Sequence, residues 1–157
     1  MSYTMRAAHE GDTYQVYALL NREDVFMWSS TGSPRTWDIH EIWFNRYDNE
    51  NNLLFLLECD GVVMGEVHYD RGESGGIVGA NAHISLQPEV RGRGIGHWML
   101  ESTIPKAYNI QGVSFLLAII RPLNQRSIDC FTSCGFEYHS TNVYNGCEMA
   151  RYIHGGN

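Results

Sequence analysis

The sequence comprises 157 residues, of which 43% are hydrophobic and 18% are charged, and its net charge is −7. These values are typical of one globular domain, expected to span residues 1–157, and they exclude a disordered chain. The negative charge argues against nucleic-acid binding. Since no apolar run approaches the roughly 20 residues of a membrane span and the N-terminus has no apolar signal segment, we expect a soluble, cytoplasmic protein with no membrane partner.

The first half of the chain predicts one strand, two helices and a hairpin. The second helix is expected to start at Ser33-Pro34, because proline is favoured at the first helical position. Asp60-Gly61 is a strong signal for a two-residue hairpin turn, and a flexible loop is expected over residues 71–76. In chain order the predicted elements are a strand over 4–7, helices over 12–21 and 34–47, and strands over 53–59 and 62–69.

The most informative segment is Arg91-Gly92-Arg93-Gly94-Ile95-Gly96, which lies between a predicted strand ending at Leu86 and a predicted helix. Glycines let the backbone approach a ligand closely and take positive φ. The free N–H groups of a first helical turn attract an anion, and guanidinium groups bind phosphate oxygens in pairs. The segment therefore predicts a pyrophosphate site.

Two common phosphate-binding motifs do not fit this segment. The dinucleotide fingerprint G-x-G-x-x-G requires a third glycine where His97 stands. The P-loop requires a Gly-Lys pair, whereas Lys106 is the only lysine in the sequence. A glycine-rich turn that binds nothing is the alternative interpretation, and the position between a strand and a helix argues against it.

The second half of the chain predicts a helix, a buried strand, another helix and a terminal hairpin. The helix after the glycine turn runs toward Asn109, with a break or kink expected at Pro105. The apolar run 115–120 is typical of a strand buried on both faces. Asn124 and Gly135 are start and stop signals for the next helix. The last two predicted elements are strands over 136–142 and 144–153, joined around Asn145-Gly146.

Two motifs give the chain a family resemblance. Arg91-x-x-Gly94-x-Gly96, followed by Asn124-x-x-Ser127 and then Gly135-Phe136, resembles the cofactor motifs of the GCN5-related N-acetyltransferases, the GNAT family. The resemblance implies the α/β (α+β) GNAT fold, with a mixed central sheet of about seven strands and four helices, splayed between the fourth and fifth strands. It also implies acetyl-CoA as cofactor and CoA as product. The chain is loosely similar to the subgroup with ribosomal-protein N-terminal and amino-sugar N-acetyltransferases.

The resemblance also assigns the cofactor-binding residues. The strand end would offer backbone groups to the pantetheine arm, the glycine turn would bind the pyrophosphate, and Asn124 would reach the arm. Phe131 stands where many members carry a tyrosine that protonates the departing thiolate, but a thiol with a pKa of roughly 8.5 can leave without that acid. The expected cofactor-binding residues are Leu86, Gln87, Arg91, Gly92, Arg93, Gly94, Ile95, Gly96, His97, Asn124, Ser127 and Phe131.

Acetyl transfer to an amine requires a group that removes a proton from the ammonium ion. Side chains alternate along strands, so polar residues at every second position can face one cleft. Glu66 and His83 are the leading candidates for this base, and a structural hydrogen-bonding role is the alternative for each. Tyr138 and Tyr144 are candidates for a replacement acid. The polar residues that share a strand face with Glu66 or His83 are His68, Asp70, Ser85 and Gln87.

The acceptor and even the activity have alternatives at this point. The first is a small-molecule amine, such as an amino sugar or a polyamine. The second is a protein N-terminus or a lysine, and the third is a non-catalytic acyl-CoA-binding module, since Phe131 replaces the usual tyrosine. The resemblance places the acceptor pocket near aromatic residues that are as readily explained as core: Trp28, Trp37, Trp43 and Phe44.

Cysteine and histidine spacing predicts no metal site. The sequence contains no C-x-x-C pair and no H-x-x-x-H pattern, which are common spacings of metal ligands. The cysteines are expected to be buried and reduced. Acidic residues concentrate in residues 1–79 and could attract a cationic amine, and the alternative is that they only keep the protein soluble. The sequence is also compatible with a homodimer.

Overall fold

The computed structural model describes residues 2–156, which fold into a seven-stranded sheet with helices on both faces. The strand order is β1-β2-β3-β4-β5-β7-β6, and the predicted mixed fold of seven strands is confirmed. The strands are β1 Tyr3–Ala7, β2 Asn52–Cys59, β3 Val62–Ser74, β4 Ile77–Leu86, β5 Val113–Ile120, β6 Glu137–Tyr144 and β7 Cys147–Gly155. The helices are α1 Thr13–Leu20, α2 Glu23–Phe26, α3 Trp37–Phe44, α4 Ile95–Ala107 and α5 Gln125–Ser133.

The predicted splay lies between β4 and β5, the only parallel pair among the described strands. All other neighbours in the sheet are antiparallel. Pairing of β4 with β5 covers only Val78–Asn81 against Val113–Leu117. Beyond that point β4 continues to Leu86 and β5 to Ile120 without pairing to each other. The sheet therefore opens toward the carboxyl ends of these two strands.

The two faces of the sheet bury separate cores. One core packs Met99 and Leu100 of α4 and Phe131 of α5 against strand residues such as Val67 and Tyr69. The other packs α1 and α3 against the opposite face, where the strand residues are Leu54, Leu56 and Val63. Burial of the apolar face of each element drives this layering. Hereafter these are the α4 face and the α3 face of the sheet.

Both predicted two-residue hairpin turns are confirmed. Asp60 and Gly61 have φ of 51° and 80°, and Asn145 and Gly146 have φ of 51° and 74°. These left-handed conformations match the twist of the flanking strands, which is why Asp-Gly and Asn-Gly pairs are favoured here. The predicted loop 71–76 is wrong in extent: β3 continues to Ser74, and only Gly75-Gly76 forms the turn to β4.

The helices depart from the prediction in number, in the bounds of α3 and in the expected break at Pro105. The chain has five helices within residues 2–156 instead of four, because the single turn α2 has no strong sequence signal. Helix α3 starts at Trp37 rather than Pro34, since the Thr36 hydroxyl accepts a hydrogen bond from the Ile39 N–H at 3.4 Å. Helix α4 is continuous through Pro105, which lies on the exposed side of its last turns. No helix in this part of the chain is long and apolar enough to cross a membrane.

Asp12 occupies the N-cap position of α1, as predicted, but its side chain makes no capping hydrogen bond because it is used elsewhere. A short 3₁₀ turn, Glu10–Asp12, precedes the helix. The Asp12 carboxylate accepts hydrogen bonds from both terminal nitrogens of Arg6 at 2.8 Å, and another from the His9 backbone N–H at 2.8 Å. Asp12 is 3% exposed, so this pair links β1 to the start of α1 under the protein surface.

We expect Asp12→Ala to lower the free energy of unfolding by about 2 kcal/mol, less than for a fully buried pair because Arg6 is 31% exposed. Burial alone would raise the pKa of Asp12, but the hydrogen bonds from Arg6 and His9 and the charge of Arg6 lower it below 3.8. The stabilising contribution of the Asp12 carboxylate is therefore fully present above its unfolded pKa of 3.8. It is lost as the pH falls through the lower pKa of the folded state. Urea unfolding at several pH values measures this. Glu137→Ala, at an exposed position, is the control, and a difference from the native protein that does not narrow as the pH falls would contradict the prediction.

Candidate active site

A cavity of about 320 Å³ lies at the open end of the sheet. Three segments form most of its wall: the end of β4, the glycine turn before α4, and the first turns of α5. Residues from α2 and the loop after it close the remaining side. The lining residues are Asp24, Val25, Trp28, Ile84, Ser85, Leu86, Arg91, Gly92, Gly94, Gly96, His97, Asn124, Arg126, Ser127, Asp129 and Cys130.

The glycine turn presents an open backbone surface to this cavity. Gly92 and Gly94 have φ of 74° and 76°, a backbone conformation that residues with a Cβ atom rarely adopt. A Cβ built on either residue would meet no atom within 4 Å. Gly94 precedes α4, and no side chain of residues 2–156 caps this end of the helix. The N–H groups of the first turn are therefore available to an anion.

Gly96 has a different reason to be glycine. A Cβ at this position would lie 3.0 Å from Cys130 Sγ and 3.5 Å from side-chain atoms of Ile84 and Leu86. The absence of a side chain thus lets α4 approach both α5 and the end of β4. This close approach fixes the width of the cavity at the strand gap.

Arg91 is committed to protein groups rather than extended toward solvent. Its Nε and Nη2 donate to the Leu86 carbonyl at 3.1 and 2.8 Å, and its Nη1 lies 3.4 Å from Asp24 Oδ2. The Leu86 carbonyl, predicted to bind a cofactor arm, therefore already carries a hydrogen bond. Arg91 ties the end of β4 to α2 across the cavity mouth.

The structure places the other predicted cofactor-binding residues in different surroundings. Asn124 and Ser127 line the cavity, and Asn124 Oδ1 accepts from the Ser127 N–H at 3.4 Å. Phe131 instead faces the core, 2% exposed, with its ring 5.0 Å from that of Phe136. Residues outside the lining of the cavity are Gln87, Arg93, Ile95 and Phe131. Gln87 donates its N–H to the Met64 carbonyl at 2.8 Å, Arg93 is exposed, and Ile95 packs against the core.

Cys130 reaches the cavity although its spacing in the sequence gave no reason to select it. The residue precedes Phe131 on α5, so the two side chains leave the helix in different directions. Burial, with a smaller effect of Cys134, raises the pKa of Cys130 to about 12. The thiol is therefore protonated at neutral pH and is a poor nucleophile.

A second group of polar side chains lies on the α3 face of the sheet. Glu66 and His68 pair in register with Leu56 and Leu54, which belong to the α1 and α3 core. Glu66 is fully buried, and its Oε2 lies 2.7 Å from His68 Nδ1. The His68 ring stacks on His83, with centroids 4.3 Å apart and planes at 14°. The predicted pair Glu66 and His83 is thus connected through His68.

Helix α3 and the residues beside it enclose this polar cluster. The Tyr47 hydroxyl donates to Asp70 Oδ1 at 2.6 Å. The rings of Trp43 and His68 lie 5.2 Å apart, edge to face, and the Arg35 guanidinium lies 4.5 Å from the centre of the Trp43 ring. Sequence spacing alone did not select Arg35 or Tyr47, because their proximity depends on how the helix packs on the sheet.

Burial and neighbouring charges shift the pKa values of three groups in and around this cluster. Burial, with the neighbouring His68 and Arg35, lowers the pKa of His83 to about 3, so its ring is neutral at pH 7. Burial and the Asp70 carboxylate raise the pKa of Tyr47. Burial lowers the pKa of Arg35, although the Glu66 charge opposes this. Glu66 Oε1 and one Arg35 terminal nitrogen, Nη1, are buried without a hydrogen-bond partner among the residues described.

Strand β4 joins the cavity to the polar cluster. Ile84 and Leu86 point to the α4 face, where they approach Gly96, and alternation then directs His83 and Ser85 to the α3 face. Ser85 also lines the cavity. The gap between β4 and β5 is therefore the place where a ligand in the cavity can meet the cluster.

The loop 27–36, between α2 and α3, covers the α3 side of this gap. Trp28 lines the cavity, and the Ser29 carbonyl accepts from Arg121 Nε at 2.8 Å, just after β5. In the β6–β7 turn, Asn145 Nδ2 donates a hydrogen bond to Ser30 Oγ at 3.4 Å. The loop is thus attached to the end of β5 and to the β6–β7 turn, and it restricts access to the gap.

The predicted acids are not brought together with the cluster. Tyr138 is 60% exposed on β6, with its hydroxyl 2.7 Å from Thr141 Oγ1. Its ring packs on Tyr152, which belongs to the core of the α4 face, whereas Glu66 and His83 lie on the α3 face. Tyr144 ends β6 at the turn. Of the predicted aromatic set, Trp28 lines the cavity, Trp43 contacts the cluster, Phe44 is core and Trp37 packs on Tyr17.

Comparison with known proteins gives the family and the fold. A sequence model described as acetyltransferase (GNAT) domain matches residues 3–137. An N-acetyltransferase from Staphylococcus aureus Mu50 is 23% identical with a TM-score of 0.82, covering 99% of each chain. The protein yncA from Salmonella typhimurium, solved with acetyl-CoA, is 19% identical with a TM-score of 0.83, covering 99% of this chain and 94% of that one. AAC(6′)-Ib, solved with ribostamycin and coenzyme A, is 18% identical with a TM-score of 0.79 and the same coverage.

Proposed function

Since the chain belongs to the acetyltransferase (GNAT) domain family, we propose that it transfers the acetyl group of acetyl-CoA to a primary amine of a small molecule. An amino sugar or a polyamine is the expected acceptor, and CoA is the second product. The observation that carries the proposal is the open glycine turn at the start of α4, set at the mouth of a cavity that leads to the strand gap.

Each part of acetyl-CoA can be assigned to a segment of the cavity wall. The uncapped N–H groups near Gly94 would bind the diphosphate. The pantetheine arm would then lie between the end of β4 and the start of α5, along Ser85, Asn124 and Ser127. This path directs the thioester to the gap between β4 and β5. The neighbour yncA, whose structure contains acetyl-CoA, supports this assignment.

The polar cluster would remove the proton from the acceptor ammonium. Glu66 and His68 are almost completely buried, whereas His83 is only partly buried and is the member that an amine can contact. His83 stacks on His68, and His68 is hydrogen-bonded to Glu66. We therefore assign contact with the amine to His83; the ammonium proton of the amine would pass through a water in the strand gap to His68 Nε2, as the His68 Nδ1 proton moves to Glu66.

The chemistry then needs little further assistance from side chains. The neutral amine attacks the thioester carbonyl, a C–N bond forms, and the C–S bond breaks to release CoA as thiolate, which then takes up the second proton lost by the nitrogen. A thiol with a pKa of roughly 8.5 leaves readily as thiolate near neutral pH, so the phenylalanine at position 131 does not prevent turnover. Alignment of the two reactants in the gap supplies much of the rate enhancement.

The loop 27–36 favours a small acceptor over an internal lysine of a protein. The hydrogen bonds from Arg121 and Asn145 attach this loop across the α3 side of the gap. An internal lysine would need an open groove for the polypeptide on both sides of it. AAC(6′)-Ib, crystallised with ribostamycin, supports an amino sugar as the acceptor class.

A panel of amines, assayed by thiol release with acetyl-CoA, tests the function. We expect CoA release with amino sugars or polyamines and a much lower rate with lysine-containing peptides. Activity restricted to peptides would contradict the acceptor assignment. Tight acetyl-CoA binding without turnover on any amine would instead identify a non-catalytic acyl-CoA-binding module.

A further inference from the structure

Three potential metal ligands meet on the α3 face of the sheet. One nitrogen each of His68 and His83 and one carboxylate oxygen of Asp70 all lie within 4.8 Å of one another. His68 pairs with His83 across β3 and β4, and Asp70 follows on the same strand face. Zn–N bonds of about 2.1 Å place the ligand atoms of a tetrahedral site roughly 3.4 Å apart. Modest side-chain rotations would therefore bring these three atoms to one ion.

Two of the three ligands have outer partners of the kind that metal sites use. The Glu66 carboxylate accepts from His68 Nδ1 at 2.7 Å, so the proton lies on Nδ1 and the lone pair of Nε2 is left for a metal. The Tyr47 hydroxyl orients Asp70 through a 2.6 Å hydrogen bond to Oδ1, which leaves Oδ2 for a metal. Carboxylate–histidine pairs and hydrogen-bonded carboxylates typically orient ligands in this way.

His83 is the ligand that is free to move. Its imidazole makes no hydrogen bond within residues 2–156, and the residue is partly exposed. In the stacked arrangement the two imidazole planes are nearly parallel, so their lone pairs lie in separate parallel planes and one ring must tilt to share an ion. Nothing in the described chain restrains the His83 ring by hydrogen bonding, and a cation arriving through the strand gap would meet it first.

The donor set and the charge balance define the class of ion. Two imidazoles and one carboxylate suit zinc and similar divalent transition metals, whereas magnesium and calcium prefer oxygen ligands alone. Two guanidiniums act on the cluster, that of Arg35 on His83 and that of Arg46 on Tyr47. The two carboxylates lie closer to the ion, because Asp70 is itself a ligand and Glu66 is hydrogen-bonded to His68, so both favour a cation at this position.

We propose that His68, Asp70 and His83 form a site for one divalent transition-metal ion of the zinc class, with Glu66 and Tyr47 as outer partners. The spacing of histidines in the sequence did not indicate this site, because its ligands come from neighbouring strands. The proposal rests on the proposed function in one respect: the ion would occupy the groups that receive the acceptor's proton. Zinc should therefore inhibit acetyl transfer.

Cobalt(II) titration tests the site without any need for acetyl-CoA. The protein is stripped with a chelator and titrated with cobalt chloride, and visible absorption is followed. We expect bands of tetrahedral cobalt that saturate at a single ion per chain and disappear when zinc chloride is added. Absence of these bands would overturn the proposal.

Matched variants locate the ligands. His83→Gln and Asp70→Asn should each weaken cobalt binding by more than the roughly tenfold loss typical of an outer partner, while Glu66→Gln should weaken it by about that amount. His139→Gln is the control, since His139 is exposed on β6 and bonded to Ser140. Bands that survive both His83→Gln and Asp70→Asn would overturn the assignment. A near-ultraviolet thiolate–cobalt band that disappears in Cys134→Ser would also overturn the assignment. Such a band would place the cobalt at Cys134, which lies beside another potential ligand, His97.

The inhibition is tested separately. Zinc chloride at concentrations that saturate the cobalt-defined site should suppress acetyl transfer in competition with the amine, and should leave acetyl-CoA affinity unchanged. Undiminished transfer with the site saturated would overturn the inhibitory role. A protein that transfers acetyl groups to no amine would fail the proposed function, and the cobalt titration would still decide the metal site.

Discussion

Gly94→Val is expected to weaken acetyl-CoA binding by at least about 100-fold. The Cβ would project into the open space at the start of α4, where no protein atom lies within 4 Å and where we place the diphosphate. Hydrogen bonds to a charged group contribute roughly 1.5–3 kcal/mol each, and each 1.4 kcal/mol is about tenfold in affinity. Loss of two such N–H contacts, about 3 kcal/mol or more, therefore accounts for this effect. Isothermal titration calorimetry with acetyl-CoA measures it.

Gly76→Val is the matched control for the backbone strain of this change. Gly76 also has positive φ, 82°, with no atom within 4 Å of its Cβ position, but it lies in the β3–β4 turn. Each variant should lose about 1–2 kcal/mol of stability from the left-handed conformation. Only Gly94→Val should lose acetyl-CoA binding. The diphosphate assignment would be disproved if Gly94→Val kept the native acetyl-CoA affinity, or if both variants lost the same amount of acetyl-CoA affinity.

Glu66→Gln is expected to reduce kcat roughly 100- to 10,000-fold, the usual range for removal of a general base. The glutamine side chain has nearly the same shape, so acetyl-CoA affinity should be unchanged. Glu58→Gln is the control, because Glu58 is a strand carboxylate on β2 that pairs with Arg6 away from the cluster. Steady-state kinetics with the best acceptor from the amine panel provide the measurement.

The choice of acceptor separates a proton-accepting role of Glu66 from a structural one. An amine of low pKa is already neutral at the assay pH and needs no base before attack. The defect of Glu66→Gln should therefore shrink strongly with such an amine, provided that Glu66 accepts the proton. An equal defect for acceptors of high and low pKa would show that the carboxylate only supports the packing of β3.

Local backbone signals explain what the sequence predicted correctly. Asp60-Gly61 and Asn145-Gly146 specify their turns because few residue pairs tolerate positive φ at both positions. The glycine turn before α4 is specified in the same way. Asn124 caps α5, and the cavity forms where the prediction placed the phosphate site. These features depend on neighbours in the chain, so one sequence is sufficient to predict them.

Contacts between distant segments explain what the sequence could not supply. Whether Cys130 or Phe131 faces the cavity depends on how α5 rotates against the sheet. The proximity of His68 and His83 depends on strand register, since a shift of one residue would send either side chain to the opposite face. The attachment of loop 27–36 to Arg121 joins segments about 90 residues apart, as the separation of the bonded residues shows. No local pattern encodes such a contact.

The short pairing of β4 with β5 has a consequence for the molecule as a whole. Within residues 2–156, backbone pairing of the two halves of the sheet along this seam is confined to Val78–Asn81 and Val113–Leu117. A bound acetyl-CoA that bridges the open part would contact both halves of the sheet at once. Ligand binding to the native state raises stability by mass action, so the free energy of unfolding of this protein would increase with the cellular concentration of acetyl-CoA.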